Sequence, residues 1–379
     1  MMKVYNKAVL PKGFKAAGIS CGIKKSAKPD LALFYSVSPA KAACLFTANK
    51  IQAAPVRVSK GFLSKKGLFR GIIVNSGNAN CFTAKTGIED AKKMASCAAR
   101  QLNTKYGEIL VASTGIIAKK LPVRLIERAM PGLARVLSSR GIAEAARAIF
   151  TTDNFTKEVT VKFNAGGKVI TISGVAKGAG MIAPEMATML VFIMTDACIS
   201  QGALKKSLKQ SADVSFNCIT VDGCMSTNDS IMLLANAKAE NKIISSGKKL
   251  EIFTDALKAA CITLAKLIVK DAEGATKFIS ITVKGARNDK DARKAGLFIA
   301  NSNLLKCAIY GENPNFGRVI AALGASGVDV KEEAIKLRTG SLKQRNVGIE
   351  VTVGRGKGSA VIYTSDLTPE YIKINAEYN

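Results

Sequence analysis

Residues 177–194 read KGAGMIAPEMATMLVFIM and combine a glycine-rich loop, one threonine and an apolar run. The loop is Lys177–Gly180, and the run Leu190–Met194 has the composition of a β-strand. Between them Thr188 follows Ala187 in an almost wholly apolar setting. This pattern has two interpretations: a buried hydroxyl bonded to a backbone carbonyl, which is the commoner case, or a nucleophile.

Helical and strand-like segments alternate on both sides of this stretch. Periodicity predicts helices over residues 88–102, 122–137, 202–216 and 252–270, with Pro131 breaking or kinking the second of them. Strands are predicted over residues 71–75, 158–163, 169–172, 190–194, 277–283, 347–353 and 360–364. The mixture predicts an α/β (α+β) architecture in which layered sheets are flanked by helices.

The chain of 379 residues contains no histidine. A Ser-His-Asp or Cys-His arrangement and a His-ligated metal are therefore excluded. A threonine hydroxyl can nevertheless be activated without histidine when cleavage of the preceding peptide bond frees its own α-amine. The reference pKa of an α-amine, roughly 7.7 to 8.0, suits a base near neutral pH. The composition thus permits cleavage between Ala187 and Thr188, which would leave Thr188 as a new N-terminus.

The nine cysteines do not form a C-x-x-C pair, and most have apolar neighbours in the sequence. This usage disfavours a zinc ribbon, an iron–sulfur run and a disulfide scaffold. We expect reduced core thiols in a cytoplasmic protein with no metal and no cofactor. The first residues carry a charge every few positions, so no secretory signal is predicted.

A net charge of +28, from 56 basic and 28 acidic residues, raises the possibility of nucleic-acid binding. The lysines are scattered in ones and twos, as at Lys24-Lys25 and Lys119-Lys120, without a basic block interleaved with aromatic residues. A solvated lysine-rich surface accounts for the charge better. Nucleic-acid binding is kept as the remote alternative, and no membrane partner is expected.

Two further polar turns follow apolar strands, at residues 74–80 (VNSGNAN) and 113–115 (STG). Each places backbone N–H groups and small polar side chains at a strand end, where anionic groups are commonly received. Each is also compatible with an ordinary turn.

Ordered blocks along nearly the whole chain resemble one enzyme family. KGAGMIAPEMATML followed by VFIMTDA is similar to the cleavage-site signature of the ornithine acetyltransferases (glutamate N-acetyltransferases) of arginine biosynthesis. IIVNSGNANCFT, VASTGII, SFNCITVDGCMSTNDS, KDAEGATKFISITVKGA, AIYGENPNFGR and the tail TSDLTPEYIKINAEY also resemble family blocks, in the family's order. The resemblance implies the fold of this family, which is related to that of the DmpA-like aminopeptidases.

The resemblance implies self-cleavage between Ala187 and Thr188. The products would be an alpha chain of residues 1–187 and a beta chain of residues 188–379, joined as a heterotetramer of two alpha and two beta chains. Thr188 would be the acetyl-accepting nucleophile, with its freed amine as the general base. The Thr114 hydroxyl and the Gly115 N–H would form the oxyanion hole.

Lys177, Glu273 and Asn375 match family positions that bind the amino-acid substrate, which Thr114 and Thr188 would also contact. From the residues alone, a turn carboxylate after a helix is the preferred interpretation of Glu273, and Asn375 is compatible with a solvated tail residue. Leu367, Tyr371, Ile372 and Ile374 are available to dock that tail. The chain also departs from the family, which often has glycine at the position of Ala118.

The implied reaction transfers an acetyl group from N-acetylornithine to glutamate through an acetyl-threonine intermediate. Some family members also accept acetyl-CoA as donor, and the residues leave this possibility open. An amidohydrolase or aminopeptidase of related fold, using the same nucleophile with water as acceptor, is the alternative enzyme.

Overall fold

A computed structural model describes residues 2–65, 67–183 and 189–377 of the protein, which form two compact units. The first unit contains described residues up to 178 together with 189–212 and 226–264. The second contains 179–183, 213–225 and 265–377. Within the described part of the chain, no helix is both long and apolar enough to span a membrane.

The first unit is built on one large sheet. Its strands are β1 (Lys3–Tyr5), β2 (Phe14–Ile19), β3 (Leu31–Phe46), β4 (Phe69–Asn78), β5 (Ile109–Ile116), β6 (Lys157–Ala165), β7 (Lys168–Lys177), β8 (Leu190–Thr195) and β9 (Ser230–Ala235). Their order is β1-β6-β7-β8-β9-β3-β4-β5, and β2 pairs with β3 off this path. The pairs β4–β5 and β8–β9 are parallel.

The long strand β3 joins two parts of this sheet. Its first half pairs with β2 and β4, whereas its second half, from Lys41, pairs with β9. The register of β3 against β4 shifts between Tyr35 and Ala40, so the pairing of the two strands is interrupted there. Phe34 on the first half stacks on Phe192 of β8 with ring centroids 5.0 Å apart, so the two parts of the sheet share one core.

The helices that lie wholly or mostly in this unit are α1 (Ala54–Ser64), α2 (Ala84–Gln101), α3 (Val123–Arg135), α4 (Ile142–Ala148), α5 (Gln201–Asp213) and α6 (Gly247–Lys270). α2, α3 and α4 contribute buried side chains to the core of β2–β5. α6 packs on β6, where the Phe253 and Phe163 rings meet edge to face at 6.2 Å. Helices therefore flank the layered sheet, as the sequence predicts.

The second unit has a four-stranded sheet covered by helices. Its strands β10 (Phe278–Ala286), β11 (Lys336–Thr339), β12 (Asn346–Thr352) and β13 (Gly358–Ser365) follow the order β11-β12-β10-β13. Side chains of α7 (Asp289–Ala300), α8 (Asn303–Tyr310) and α9 (Gly317–Ala325) share a core with these strands. The final helix, α10 (Pro369–Ala376), carries the C-terminal tail.

The predicted segments are confirmed, with boundaries shifted by several residues. Helix α3 runs through Pro131 without ending there, so of the two predicted effects of this proline the break does not occur. Pro131 is exposed and falls nine residues into the helix from Val123, where packing of the apolar face outweighs the lost backbone donor. Two cysteines also depart from the expected core thiols, since Cys224 and Cys307 are exposed, although all nine are free.

Candidate active site

The end of β5 carries Thr114 and Gly115, the two predicted oxyanion donors. In the parallel register with β4, Thr114 lies beside Ser76 and Gly115 beside Gly77. Thr114 is buried, and Gly115 has a φ of +133°. A Cβ atom at position 115 would lie 2.3 Å from the carbonyl carbon of Gly77, so only glycine allows the two strand ends to approach this closely.

Two amide side chains hold this strand end in place, one near the end of β4 and one ahead of β9. Asn75 accepts a 2.6 Å hydrogen bond from the Ser113 hydroxyl and donates to the Asn78 carbonyl at 2.9 Å. Asn228, which precedes β9, donates to the carbonyl oxygens of Ala79 and Ser113 at 2.6 and 2.8 Å. The predicted turn at residues 74–80 is therefore wrong in part, because residues 74–78 belong to strand β4, and the Asn75 side chain there helps to hold the backbone next to Thr114.

The predicted residue Lys177 lies at the end of β7, next to Thr114. Its ammonium nitrogen donates to the Thr114 hydroxyl oxygen at 3.3 Å and to the Thr151 hydroxyl oxygen at 2.7 Å. The Lys177 side chain is buried, and only 2% of the residue is exposed. Three segments distant in sequence thus bring a cation and two hydroxyls to one point.

A buried carboxylate, Asp153, organises the surroundings of Lys177. It forms a 2.6 Å ion pair with Lys157, both side chains being fully buried, and accepts the N–H groups of Gly178 at 2.7 Å and Thr151 at 3.0 Å. Burial alone would raise the pKa of Asp153, but the positive charges of Lys177 and Lys157 outweigh it and hold the pKa at about 2.

Sequence reasoning missed both Thr151 and Asp153. The available signal is the polar run Thr151–Asn154 ahead of strand β6, with aspartate and lysine four residues apart at Asp153 and Lys157.

A second missed carboxylate, Asp229, is buried in front of β9 and accepts the Met189 N–H at 2.8 Å. Burial raises the pKa of Asp229 well above its usual range.

Glu273 and Asn375, both in the second unit, are brought together by the turn after α6 and by helix α10. The Asn375 amide donates to the Glu273 carboxylate at 3.0 Å, and the Glu273 N–H donates to the Ala179 carbonyl at 3.0 Å. A Cβ atom at Gly180 would lie 2.2 Å from that carboxylate, so the glycine loop makes room for Glu273. Glu273 is buried, whereas Asn375 is exposed on an ordered helix and is not part of a structureless tail.

Asp222 links helix α10 to residues 181–182, which follow the glycine-rich loop Lys177–Gly180. Its carboxylate accepts the N–H groups of Met181 at 2.6 Å and Ile182 at 3.0 Å, and the Tyr371 hydroxyl donates to it at 3.1 Å. Burial and the Asp222 carboxylate both raise the pKa of Tyr371 above its usual range. Ile372 was expected to help dock the C-terminal tail, but its side chain does not pack, because the residue is 66% exposed.

The predicted nucleophile Thr188 and its neighbour Ala187 lie outside the described residues. Of the predicted residues that the structure does describe, Thr114, Gly115 and Lys177 are brought together in the first unit, and Glu273 and Asn375 in the second. Within the three described ranges, no group of three or more His, Cys, Asp or Glu side chains could hold a metal ion.

The profile of the ArgJ family matches residues 15–343. An arginine biosynthesis bifunctional protein ArgJ from Geobacter sulfurreducens is 42% identical, over 97% of this chain and 99% of its own. The protein of the same name from Caldanaerobacter subterraneus subsp. tengcongensis is 44% identical over 98% of each chain. A crystal structure of ornithine acetyltransferase with ornithine, from Mycobacterium tuberculosis, is 36% identical and covers 48% of this chain and 98% of its own, with a TM-score of 0.45. A family profile spanning most of the sequence and relatives of this identity over almost the full length place the chain in the ArgJ family.

Proposed function

We propose that the protein is a glutamate N-acetyltransferase, which moves the acetyl group of N-acetylornithine to glutamate. The observation that carries the proposal is the juxtaposition of Thr114 and Gly115 with the buried cation of Lys177. Hydroxyl and backbone N–H donors fixed at a strand end are suited to stabilise the oxyanion of acyl transfer. Membership of the ArgJ family, whose relatives are named for arginine biosynthesis, supports the same conclusion.

The first step is the formation of the nucleophile. The Thr188 hydroxyl attacks the Ala187 carbonyl carbon, the C–N bond breaks in an N-to-O acyl shift, and water hydrolyses the resulting ester. The products are the chains of residues 1–187 and 188–379, and the second begins with a free threonine amine. We propose that two copies of each chain assemble into the enzyme.

The second step is the exchange of the acetyl group. The Thr188 α-amine takes the hydroxyl proton while the oxygen attacks the acetyl carbonyl of N-acetylornithine, and the proton passes to the departing ornithine amine. Glutamate then attacks the acetyl-threonine ester through its neutral amine and regenerates the hydroxyl. Both half-reactions pass through a tetrahedral oxyanion, so the same donors serve both.

The Glu273–Asn375 pair supports an assignment as the substrate-binding part of the second unit. A buried carboxylate suits the ammonium group of an amino acid, and the amide that bonds to it holds its orientation. No metal or prosthetic group takes part in the proposed chemistry. Acetyl-CoA is included as a second donor, which the word bifunctional in the relatives' names supports.

The test mixes the purified protein with N-acetylornithine and follows ornithine, acetate and N-acetylglutamate, with and without glutamate. We expect N-acetylglutamate to form only when glutamate is present, with stoichiometric release of ornithine. Release of free acetate in the absence of glutamate would instead identify the amidohydrolase alternative. Replacing the donor with acetyl-CoA tests the second donor, for which formation of N-acetylglutamate is the expected result.

A further inference from the structure

We propose that Lys177 is a positioning residue that orients and polarises the Thr114 hydroxyl for oxyanion binding. This inference rests on the proposed acetyl-transfer function and differs from the substrate-binding role that the family resemblance implies for Lys177. Its basis is the 3.3 Å hydrogen bond between the Lys177 ammonium and the Thr114 hydroxyl oxygen.

The direction of that hydrogen bond is fixed by chemistry. A lysine ammonium has three donors and no acceptor, whereas a threonine hydroxyl can both donate and accept. The Thr114 oxygen must therefore accept from Lys177, and its own hydrogen points away from the ammonium. This leaves the hydroxyl oriented as a donor, the role that an oxyanion hole requires.

The charge on Lys177 also strengthens the donor. Hydrogen bonds polarise one another in chains, and the effect is larger in a buried site where water does not screen the charge. Lys177 is 2% exposed and Thr114 5% exposed, so the pair is largely shielded from solvent. A positive charge next to the hydroxyl makes its hydrogen a better donor to a developing negative oxygen.

The surrounding residues hold Lys177 at Thr114 from two sides. The Thr151 hydroxyl oxygen accepts a second bond from the ammonium at 2.7 Å. Asp153 accepts the N–H groups of Thr151 and Gly178, which fixes the loop on one side of Lys177 and the end of strand β7 on the other. The buried ion pair of Asp153 with Lys157 in turn holds the Asp153 carboxylate in place.

A double-mutant cycle tests the proposal with Lys177→Met, Thr114→Val and the double variant. Loss of one oxyanion donor lowers kcat by roughly 10² to 10³-fold, so we expect about that loss for Thr114→Val. Lys177→Met should lower kcat by on the order of 10-fold to 10²-fold with little change in KM. The double variant should match Thr114→Val within a few-fold, because Lys177 acts only through the hydroxyl.

Lys306→Met is the matched control, since Lys306 is another buried ammonium and donates to the carbonyl oxygens of Val221 and Ser365. Any loss it causes should multiply with that of Thr114→Val. If Lys177→Met does not fold, as judged by circular dichroism, Lys177→Gln replaces it, because an amide still donates to Thr114 without the charge. The same coupling with Thr114→Val is expected.

Two results would overturn the proposal. Losses that multiply in the double variant would show that Lys177 acts independently of Thr114. A raised KM with unchanged kcat in Lys177→Met would show that the residue binds a substrate carboxylate. A wild-type protein that forms no N-acetylglutamate from N-acetylornithine would instead overturn the proposed function, and this inference with it.

Discussion

Two glycines allow the ends of strands β4 and β5 to approach each other at the candidate site. Gly115 and Gly77 lie side by side, and a Cβ atom at position 115 would collide with the Gly77 backbone, so this pairing next to Thr114 requires glycine. The sequence predicts a polar turn at residues 113–115, whereas the structure places them in strand β5, where Gly115 packs against the backbone of a second strand. The requirement for glycine comes from the parallel pairing of β4 and β5, which are about thirty residues apart in sequence.

Gly115→Ala should therefore damage both stability and activity. The new methyl group would lie 2.3 Å from Gly77, at a φ of +133° that alanine rarely adopts, so the strand ends must separate. We expect a loss of unfolding free energy of about 1–3 kcal/mol and a fall in kcat. Gly132→Ala in helix α3, where a Cβ atom meets nothing within 4 Å, is the control and should be neutral or slightly stabilising. Equal stability of the two variants in urea would contradict this account.

Ala118 illustrates how a departure from the family pattern acts on the backbone. It has a φ of 63°, in the left-handed region that favours glycine, and its N–H donates to the Cys81 carbonyl. Ala118→Gly should raise the unfolding free energy by about 0.5–1 kcal/mol, because it relieves this strain. Ala134→Gly, inside helix α3, should lower it by about 1 kcal/mol. A loss of stability in both variants, measured by denaturant titration, would show that the backbone at position 118 is unstrained.

At the scale of elements, the structure confirms the helices that the helical period predicts, although it also contains helices that were not predicted, namely α1, α4, α7, α8 and α9. α2, α3, α5 and α6 were all expected, because an amphipathic face repeats on the helical period. Strand β3 was missed because its two halves pair with different partners, which its local sequence does not encode. Helix α10 was also missed, although Thr368 caps it by accepting the Tyr371 N–H at 3.3 Å.

Helix α10 provides a test of how Asn375 is held. Tyr371→Phe removes the hydroxyl that donates to Asp222 but keeps the ring, so α10 should form and hold Asn375 less firmly. We expect KM for the amino-acid substrate to rise several-fold while kcat changes little, because the lost constraint concerns binding. Tyr310→Phe on α8, at an exposed position, is the control. A fall in kcat at unchanged KM would indicate that α10 acts on the chemical step instead.

At the scale of the whole molecule, the site is assembled from segments that the sequence separates widely. Thr114, Thr151 and Lys177 come from β5, the loop before β6, and the end of β7. Composition excluded histidine chemistry, and the family resemblance supplied the residues. The contact of Lys177 with Thr114, by contrast, depends on sheet order and could not be derived from spacing.

The free energy of unfolding at acid pH should depend on the buried Asp153 carboxylate, which pairs with Lys157 and accepts the N–H groups of Thr151 and Gly178. The pKa of Asp153 in the folded protein, about 2, lies below that of an unfolded aspartate, roughly 3.9. The charged carboxylate therefore stabilises the folded state, and this stabilisation is complete at pH values above the unfolded pKa. This contribution, on the order of 2 kcal/mol, is lost as the pH falls from about 4 through 2. Asp153→Asn should be less stable at pH 7 and should lose less stability than the wild type across that acid range. Parallel losses in urea titrations of the two proteins would contradict the assignment.

In the proposed mechanism Thr188 carries the acetyl group, which mass spectrometry of the enzyme during the reaction can detect. The protein is incubated with N-acetylornithine alone and quenched in acid, which protonates the α-amine and keeps the ester in place. We expect two fragments, residues 1–187 and 188–379, with one acetyl group on the N-terminal threonine of the second. This acetyl group should be lost when glutamate is added before the quench. Thr188→Ala should remain one unacetylated chain. Acetyl transfer by a protein that stays uncleaved, or that carries no acetyl group on Thr188, would contradict the account.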